Sequence, residues 1–492
     1  MGKSFTTRDG YQLLHDGCVE LSRIEHTGIR VDRGQLKKNK SELAEAIEDT
    51  KNNMHNSGVW RTWRKRFGKN SNLNSRKQFS EVLDSMGYVI EARTAKGAPK
   101  MDEESLSNLD IPFVRDFVDL MKFEKTMNTY ILAIERGLDT RSRLHPVFNL
   151  HTVQTYRSSS DSPNFQNMPV RDKRLADYIR TLFVASPGCL LLENDFKGIE
   201  VSVSACYHKD PNFISYITTP GKDMHRDMAA QLYMLEPGDV SKEARYGAKN
   251  KFVFPQFYGD YYVSCARSLW DWIGKGELKG PDGQPLKKHL QKKGIRKLGA
   301  CNPDERPVSG TFEKHVQKVE NDFWNNRFMQ YGRWKKDWFQ QYLRKGYFDM
   351  LSGFRVLGDY NRKQVCNYPV QGSAFHCLLW SLIQVNRKLR KYKMRSRIVG
   401  QIHDSMISDV RIEELHNFLC IMDETTTVEL RKHFQWLSVP LEIECEVCPE
   451  GGSWNDKREV VFKDRAFEIP GSPGKFTRRQ DRFLSKLNQS NK

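Results

Sequence analysis

Two aspartates stand where apolar runs end, and their chemistry frames the rest of the chain. Asp404 lies in residues 397–410, RIVGQIHDSMISDV, where Ile398-Val399 and Met406-Ile407 flank a polar tip at His403-Asp404. That pattern predicts a β-hairpin with an acidic residue at its turn. An aspartate there either stabilises the turn or holds a metal ion, and the stretch alone leaves both readings open. Asp195 lies in residues 189–204, CLLLENDFKGIEVSVS, whose run Leu190-Leu191-Leu192 predicts a buried strand ending near Asp195. Two carboxylates at two strand ends are what two-metal phosphoryl chemistry requires, with ions about 3.5–4 Å apart stabilising the attacking and leaving oxygens. Mg²⁺ needs only one or two carboxylates beside substrate phosphates. Composition does not bring the two aspartates together.

A second group is basic and aromatic. Arg245 and Lys249 are spaced i, i+4 and share one face of a predicted helix, as do Phe254 and Tyr258. Such cations suit a triphosphate or a solvated face, and such aromatics suit a nucleotide or a core. Pro255, inside the same helix, removes a backbone donor and crowds the preceding turn. Residues 60–69, WRTWRKRFGK, interleave aromatic and basic side chains. They read equally as a phosphate-tracking patch with stacking platforms and as a solvated helix with tryptophans packed inward. Among ten cysteines only Cys445 and Cys448 form a C-x-x-C. No second pair completes a zinc site, so ordinary cysteines on a strand at 441–447 are predicted.

The order of these stretches resembles family A DNA polymerases, the class of bacterial polymerase I and many bacteriophage replicases. Residues 189–204 resemble motif A and residues 397–410 motif C. Thr155-Tyr156-Arg157 followed by SPNFQNMP at 162–169 resembles the primer-template segment, and RYGAKNKFVFPQFYG at 245–259 resembles motif B. Asn367-Tyr368-Pro369-Val370-Gln371-Gly372 resembles the helix between motifs B and C, and Val439-Pro440-Leu441 with Gly452-Ser453-Trp454 the C-terminal signature. The ordered set is more specific than any member, and it covers nearly the whole chain up to Trp454.

The resemblance implies an α+β right-hand fold: a palm with an antiparallel sheet, helical fingers and a thumb. It implies a template-directed DNA polymerase that adds dNTPs to a primer 3′ end, in phage genome replication. Asp195 and Asp404 are implied to hold two Mg²⁺ ions, with Mn²⁺ as a substitute. Lys249 is implied to protonate the leaving pyrophosphate and, with Arg245 and His225, to hold the triphosphate. Phe254 is implied to lie against the incoming sugar and Tyr258 over the templating pair. Glu200 is implied to fill the space of a ribose 2′-hydroxyl and to pair with Tyr258. Arg157, Asn164, Gln166, Asn367 and Gln371 are implied contacts to the primer-template minor groove, whose acceptors are alike for every correct pair. His403 is implied to support the turn or the primer strand. Three positions depart from the family pattern. Ser405 stands where a glutamate is usual, Tyr156 where a glycine is usual, and one extra residue separates Lys249 from Tyr258. A π-bulge before Pro255 would absorb that residue; without it Lys251 takes the catalytic place.

The elements that must position these residues follow from periodicity. Helices are predicted over 11–25 with Gly28 as a stop signal, over 35–50, 113–134, 210–233, 312–345 and 371–389. The resulting division is a lead-in at 1–33, thumb at 34–144, first part of the palm at 145–210, fingers at 211–360, second part of the palm at 361–455 and a basic tail at 456–492. Residues 274–297 read as an irregular Gly/Lys-rich excursion of the fingers. No exonuclease-like D-x-E strand precedes the first helix, so a polymerase module without its own 3′–5′ exonuclease is expected, with a separate exonuclease or processivity factor as further partners. Seventy-nine Lys and Arg against 61 Asp and Glu give a net charge of +18. That excess favours a polyanionic partner such as primer-template DNA through counterion release. No apolar stretch spans a bilayer, no signal peptide opens the chain and no Walker A loop argues for a helicase. The expected compartment is the cytoplasm, the host bacterial cytoplasm for a phage-encoded chain. Two rivals stand beside this reading: a single-subunit RNA polymerase, against which Glu200 argues, and a non-catalytic DNA-binding protein on a polymerase fold, against which the aspartates and Lys249 argue.

Overall fold

The computed structural model describes residues 4–463, 466–468 and 475–477, apart from 91, 95, 107, 108, 110, 170, 171 and 275–277. Its centre is a seven-stranded antiparallel sheet. The strands run in the order Lys475–Thr477, Ala466–Glu468, Arg458–Lys463, Ile443–Val447, Cys189–Phe196, Ser405–Arg411, Arg397–Ile402. Leu191, Leu192, Ile407 and Val410 are buried, as expected for the β-branched and apolar runs of those segments. The tail expected from residue 456 onward instead begins with a strand, because Arg458–Lys463 pairs with Ile443–Val447. The run Val460-Val461-Phe462 is the β-forming signal behind it. Gly471-Ser472-Pro473-Gly474 and residues 478–492 of that tail lie outside the described residues.

One long helix, Arg362–Lys391, backs the sheet. Asn361 and Gln364 form a capping box at its start, satisfying donors that the first turn leaves free. Pro369 lies inside it and has no N–H to offer the Val365 carbonyl; Trp338 Nε1 donates to that carbonyl instead, at 3.0 Å. At Gly372 a Cβ would lie 2.4 Å from the Thr155 carbonyl, so glycine lets the segment bearing Arg157 lie against the helix. The first helix, Thr7–Thr27, packs on the same long helix and ends at Gly28, φ 65°.

An outlying lobe has its own core of Met54, Trp63, Phe79, Phe117 and Leu120, among others. The helices Arg33–His55 and Pro112–Lys125 form its stem. Trp63 is buried and stacked on Phe79 at 5.4 Å, and Trp60 is half-buried. The inward-packing alternative therefore describes Trp63, while Arg61, Arg64, Lys65 and Arg66 face solvent. Beyond the sheet, helices Met224–Tyr233, Lys242–Ala248, Tyr262–Gly274, Phe312–Asp322 and Met329–Lys345 form a second helical region. The excursion expected at 274–297 holds a short helix, Leu286–Lys292, whose His289 Nε2 is 3.0 Å from the Met234 carbonyl. No helix among the described residues is long and apolar enough to cross a membrane.

Candidate active site

The strand carrying Asp195 lies between two others, and the register places Asp195 opposite Ser405 on one side and Glu444 on the other. Asp404 immediately precedes Ser405, so both aspartates share one end of the sheet. Asp195 opens onto the cleft. Burial by the surrounding protein, with the Asp404 carboxylate beside it, pushes its carboxyl up to about 7. Burial also raises Asp404, against the pull of the Arg157 guanidinium. Asp404 Oδ1 is buried without a hydrogen-bond partner. Arg157 Nη2 is 3.6 Å away, too far for a hydrogen bond. An unpartnered buried carboxylate oxygen beside a second carboxylate is costly. A divalent cation relieves both, and an oxygen-only donor pair suits Mg²⁺ or Mn²⁺.

The turn that presents Asp404 is braced from behind. His403 takes a left-handed conformation, φ 48°, unusual for a residue with a side chain. Gln401 Nε2 donates to the His403 carbonyl at 2.7 Å, and Gln401 Oε1 accepts from Ser158 Oγ and Gln166 Nε2, both at 2.7 Å. Gln166 is thus only 7% exposed, and its amide supports the turn from within. Asn164 is exposed and caps the short turn Phe165–Asn167 through Oδ1.

From Asp404 a polar chain runs to the helix expected to carry nucleotide contacts. Arg157 Nη1 donates to Glu200 Oε1 and Tyr258 Oη donates to Glu200 Oε2, each at 3.0 Å. Glu200 sits in the first turn of helix Ile199–His208, directly after the strand of Asp195. Burial and the nearby Asp404 raise its carboxyl, which Arg157 and Tyr258 oppose. Asn367 Nδ2 donates to the Tyr258 carbonyl at 3.0 Å. Glu200, Phe254, Tyr258, Asn367 and Gln371 border a cavity of about 40 Å³.

The cationic residues meet on the same side. Between Lys242–Ala248 and Phe254–Phe257 the helix widens into a π-turn, Lys249–Val253, just before Pro255. The wider turn takes up the extra residue, and Lys249 Nζ lies 5.2 Å from the centre of the Phe254 ring. The His225 ring meets Phe254 edge-on at 5.7 Å. His225 Nδ1 is buried without a partner, and burial with Arg245 and Lys249 nearby holds the imidazole down to about 4. Arg245 Nε donates to Asp223 Oδ2 at 2.6 Å, while Asp223 Oδ1 caps the helix of His225. The structure therefore gathers Asp195, Asp404, Arg157, Glu200, Tyr258, Phe254, His225, Lys249 and Arg245 around one cleft.

Sequence reasoning missed Gln401, Asp223 and Glu444. Asp223 carried a signal, an aspartate directly before a helix. Glu444, whose charge reaches Asp195 after those of Asp404 and Glu193, carried one only through strand pairing. Gln401 is one polar residue in a buried strand and had none.

Comparisons with known proteins bear on the whole arrangement. The model of DNA polymerase family A matches residues 34–272 and 315–456. DNA polymerase I of Chloroflexus aurantiacus is 27% identical over 454 residues, covering 90% of this chain and 42% of that protein. The DNA polymerase of Bacillus phage SP01 is 26% identical over 423 residues, covering 81% of this chain and 41% of that one. The chain spans less than half the length of these curated relatives. The polymerase domain of Pol1 from M. smegmatis, solved in complex with DNA primer-template and dNTP, superposes with a TM-score of 0.68 at 24% identity. It covers 89% of this chain and 69% of that one, which shows the right-hand α+β fold. With the family model matched across both segments that carry the cleft, the chain belongs to DNA polymerase family A.

Proposed function

We propose that this chain extends a primer 3′ end with dNTPs under the direction of a template, with Asp195 and Asp404 as the metal-holding pair. The observation that carries the reading is the pair itself: two carboxylates that strand register sets side by side at one sheet end, one with an orphaned oxygen, beside the hydrogen-bonded Glu200 and Tyr258. Family A membership and the fold shared with a domain solved on primer-template and dNTP support the same partners for this chain.

In the reaction, the primer 3′-oxygen attacks the α-phosphorus, the bond to pyrophosphate breaks and the hydroxyl proton passes to water. Two divalent cations, when bound, supply Lewis-acid activation of the hydroxyl and charge neutralisation of the phosphates. The chain's own groups do the rest. Arg245, Lys249 and His225 form the triphosphate side of the cleft, and Lys249 delivers a proton to the departing pyrophosphate. Glu200 occupies the position of a 2′-hydroxyl, fixed there by Tyr258 and Arg157.

Primer extension with dNTPs or rNTPs, in Mg²⁺, Mn²⁺ or chelator, tests the reading. Metal-dependent, templated extension with dNTPs is expected. Preferential use of rNTPs would instead identify an RNA polymerase, and DNA binding without extension a non-catalytic protein.

A further inference from the structure

A buried lysine lies behind the cleft. Lys335 is 7% exposed in the middle of helix Met329–Lys345, and lysines are rarely that buried without an ionic partner. Among the described residues no carboxylate lies within ion-pairing distance of it. Its Nζ instead donates to two backbone carbonyls, Gln256 at 2.8 Å and Phe257 at 2.9 Å. Nζ also lies 4.4 Å from the centre of the Trp324 ring and 5.2 Å from that of Tyr331, distances at which aromatic faces attract a cation. Burial is costly to the charge and pushes the amine down to about 7.

The two carbonyls belong to the last turn of the helix that carries Lys249, Phe254 and Tyr258. Four carbonyls at a helix end have no partner within the helix, and a cation there also meets the negative end of the helix dipole. Trp324 holds the same turn through its Nε1, which donates to Gln256 Oε1 at 2.7 Å. The next carbonyl, that of Tyr258, is held by Asn367 from another helix. On one side this helix end borders a hollow of about 830 Å³, so packing does not wedge it in place there. The ties from Lys335 and Asn367 set where the backbone of Tyr258 lies relative to Glu200.

We propose that Lys335 is a positioning residue for nucleotide selection, acting through the last turn of the helix Phe254–Phe257, which Tyr258 caps. It touches neither substrate nor reacting atoms. Its two donated hydrogen bonds hold Tyr258 and Phe254 at the distance from Glu200 that fits a deoxyribose and a correct pair. This rests on the polymerase reading above. Lysine suits the task because one compact amino group, charged or neutral, has the two N–H donors needed to reach two adjacent carbonyls while it faces two rings.

Lys335→Met removes both donors at similar side-chain length, and Lys335→Arg keeps charge and donors. Steady-state incorporation of the correct dNTP, a mismatched dNTP and an rNTP is measured for wild type and both variants, with Tm recorded for each. For Lys335→Met the KM for the correct dNTP should rise about tenfold, kcat should change less, and discrimination against the other two nucleotides should fall; Lys335→Arg should recover part of each. If Lys335→Met yields no folded protein, Lys335→Gln, with one donor and no charge, carries the same test. Wild-type extension together with unchanged KM and discrimination in the variants, whatever their Tm, would overturn the proposal alone. Absence of extension by the wild type would overturn the polymerase reading and this proposal with it.

Discussion

One carboxylate, Glu200, accepts a hydrogen bond from Tyr258 and another from Arg157, so its position is fixed from two sides. Shortening it to alanine should open the space of a 2′-hydroxyl. Glu200→Ala is expected to raise rNTP use relative to dNTP by about tenfold or more, roughly 1.4 kcal/mol of lost discrimination. Overall rate should fall as well, because Tyr258 loses its acceptor. Phe254→Tyr should ease acceptance of dideoxynucleotides, since a phenolic hydroxyl can replace the contact a 3′-hydroxyl makes. Ratios of kcat/KM between nucleotides report both changes, and unchanged ratios would mean that these side chains do not surround the sugar. Asp195, Asp404, Glu200 and Tyr258 could be singled out from the sequence only through the ordered resemblance to family A polymerases, since residue type alone left a turn aspartate or an exposed glutamate equally open. Gln401 and Lys335 could not: Gln401 braces the carbonyl of its own turn and Lys335 donates to carbonyls far away along the chain, and neither contact leaves a periodic trace. Lys335 sits in GRWKKDWF, within the helix predicted over 312–345, and only packing puts its amine inside.

The helix Lys242–Phe257 owes its geometry to one widened turn. Lys249–Val253 is π-helical, and with Pro255 unable to donate a backbone hydrogen bond the strain of an extra residue is confined there. The turn keeps Lys249 beside Phe254. Lys249→Ala should therefore cost about 10²-fold or more in the chemical step, the usual range for losing a general acid, and Lys251→Ala less than about threefold. Single-turnover incorporation measures both, and the reverse order would assign the proton to Lys251. The long helix Arg362–Lys391 offers a test of burial. His376 is fully buried, its Nδ1 2.6 Å from Ser352 Oγ and its Nε2 3.3 Å from the Tyr156 carbonyl. Burial holds its imidazole down to about 3 from an ordinary 6.5. A folded-state value below the unfolded one means that stability is intact above pH 6.5 and falls as pH drops toward 3. His376→Gln should cost about 1–3 kcal/mol at pH 7.5. That deficit should shrink by about 1 kcal/mol between pH 6.5 and 5.5, because only the wild type carries the histidine that unfolding protonates. Urea unfolding at the two pH values measures it, and a constant deficit would contradict the burial argument. Most elements were legible from periodicity and caps, including the hairpin of Asp404 and the stop at Gly28. The strand Arg458–Lys463 was not, because its apolar run sits within a basic segment and becomes a strand only by pairing with Ile443–Val447.

Across the molecule, one sheet brings together carboxylates more than two hundred residues apart in sequence, and one helical region supplies the cationic and aromatic side of the cleft where they meet. Neither spacing nor composition encodes that meeting; register does, by setting Asp195 against Ser405. The net charge of +18 adds a long-range attraction to a phosphate backbone that should weaken steeply with salt. On the proposed polymerase reading, positioning and electrostatics rather than a covalent enzyme intermediate carry the reaction. The decisive measurement is single-turnover primer extension by Asp404→Asn in Mg²⁺, alongside duplex affinity under the same conditions. The substitution keeps shape and removes the charge, so affinity should stay within about threefold while the rate falls by far more than tenfold. Retention of a tenth or more of the wild-type rate, roughly 1.4 kcal/mol of barrier or less, would contradict a catalytic role for the carboxylate pair.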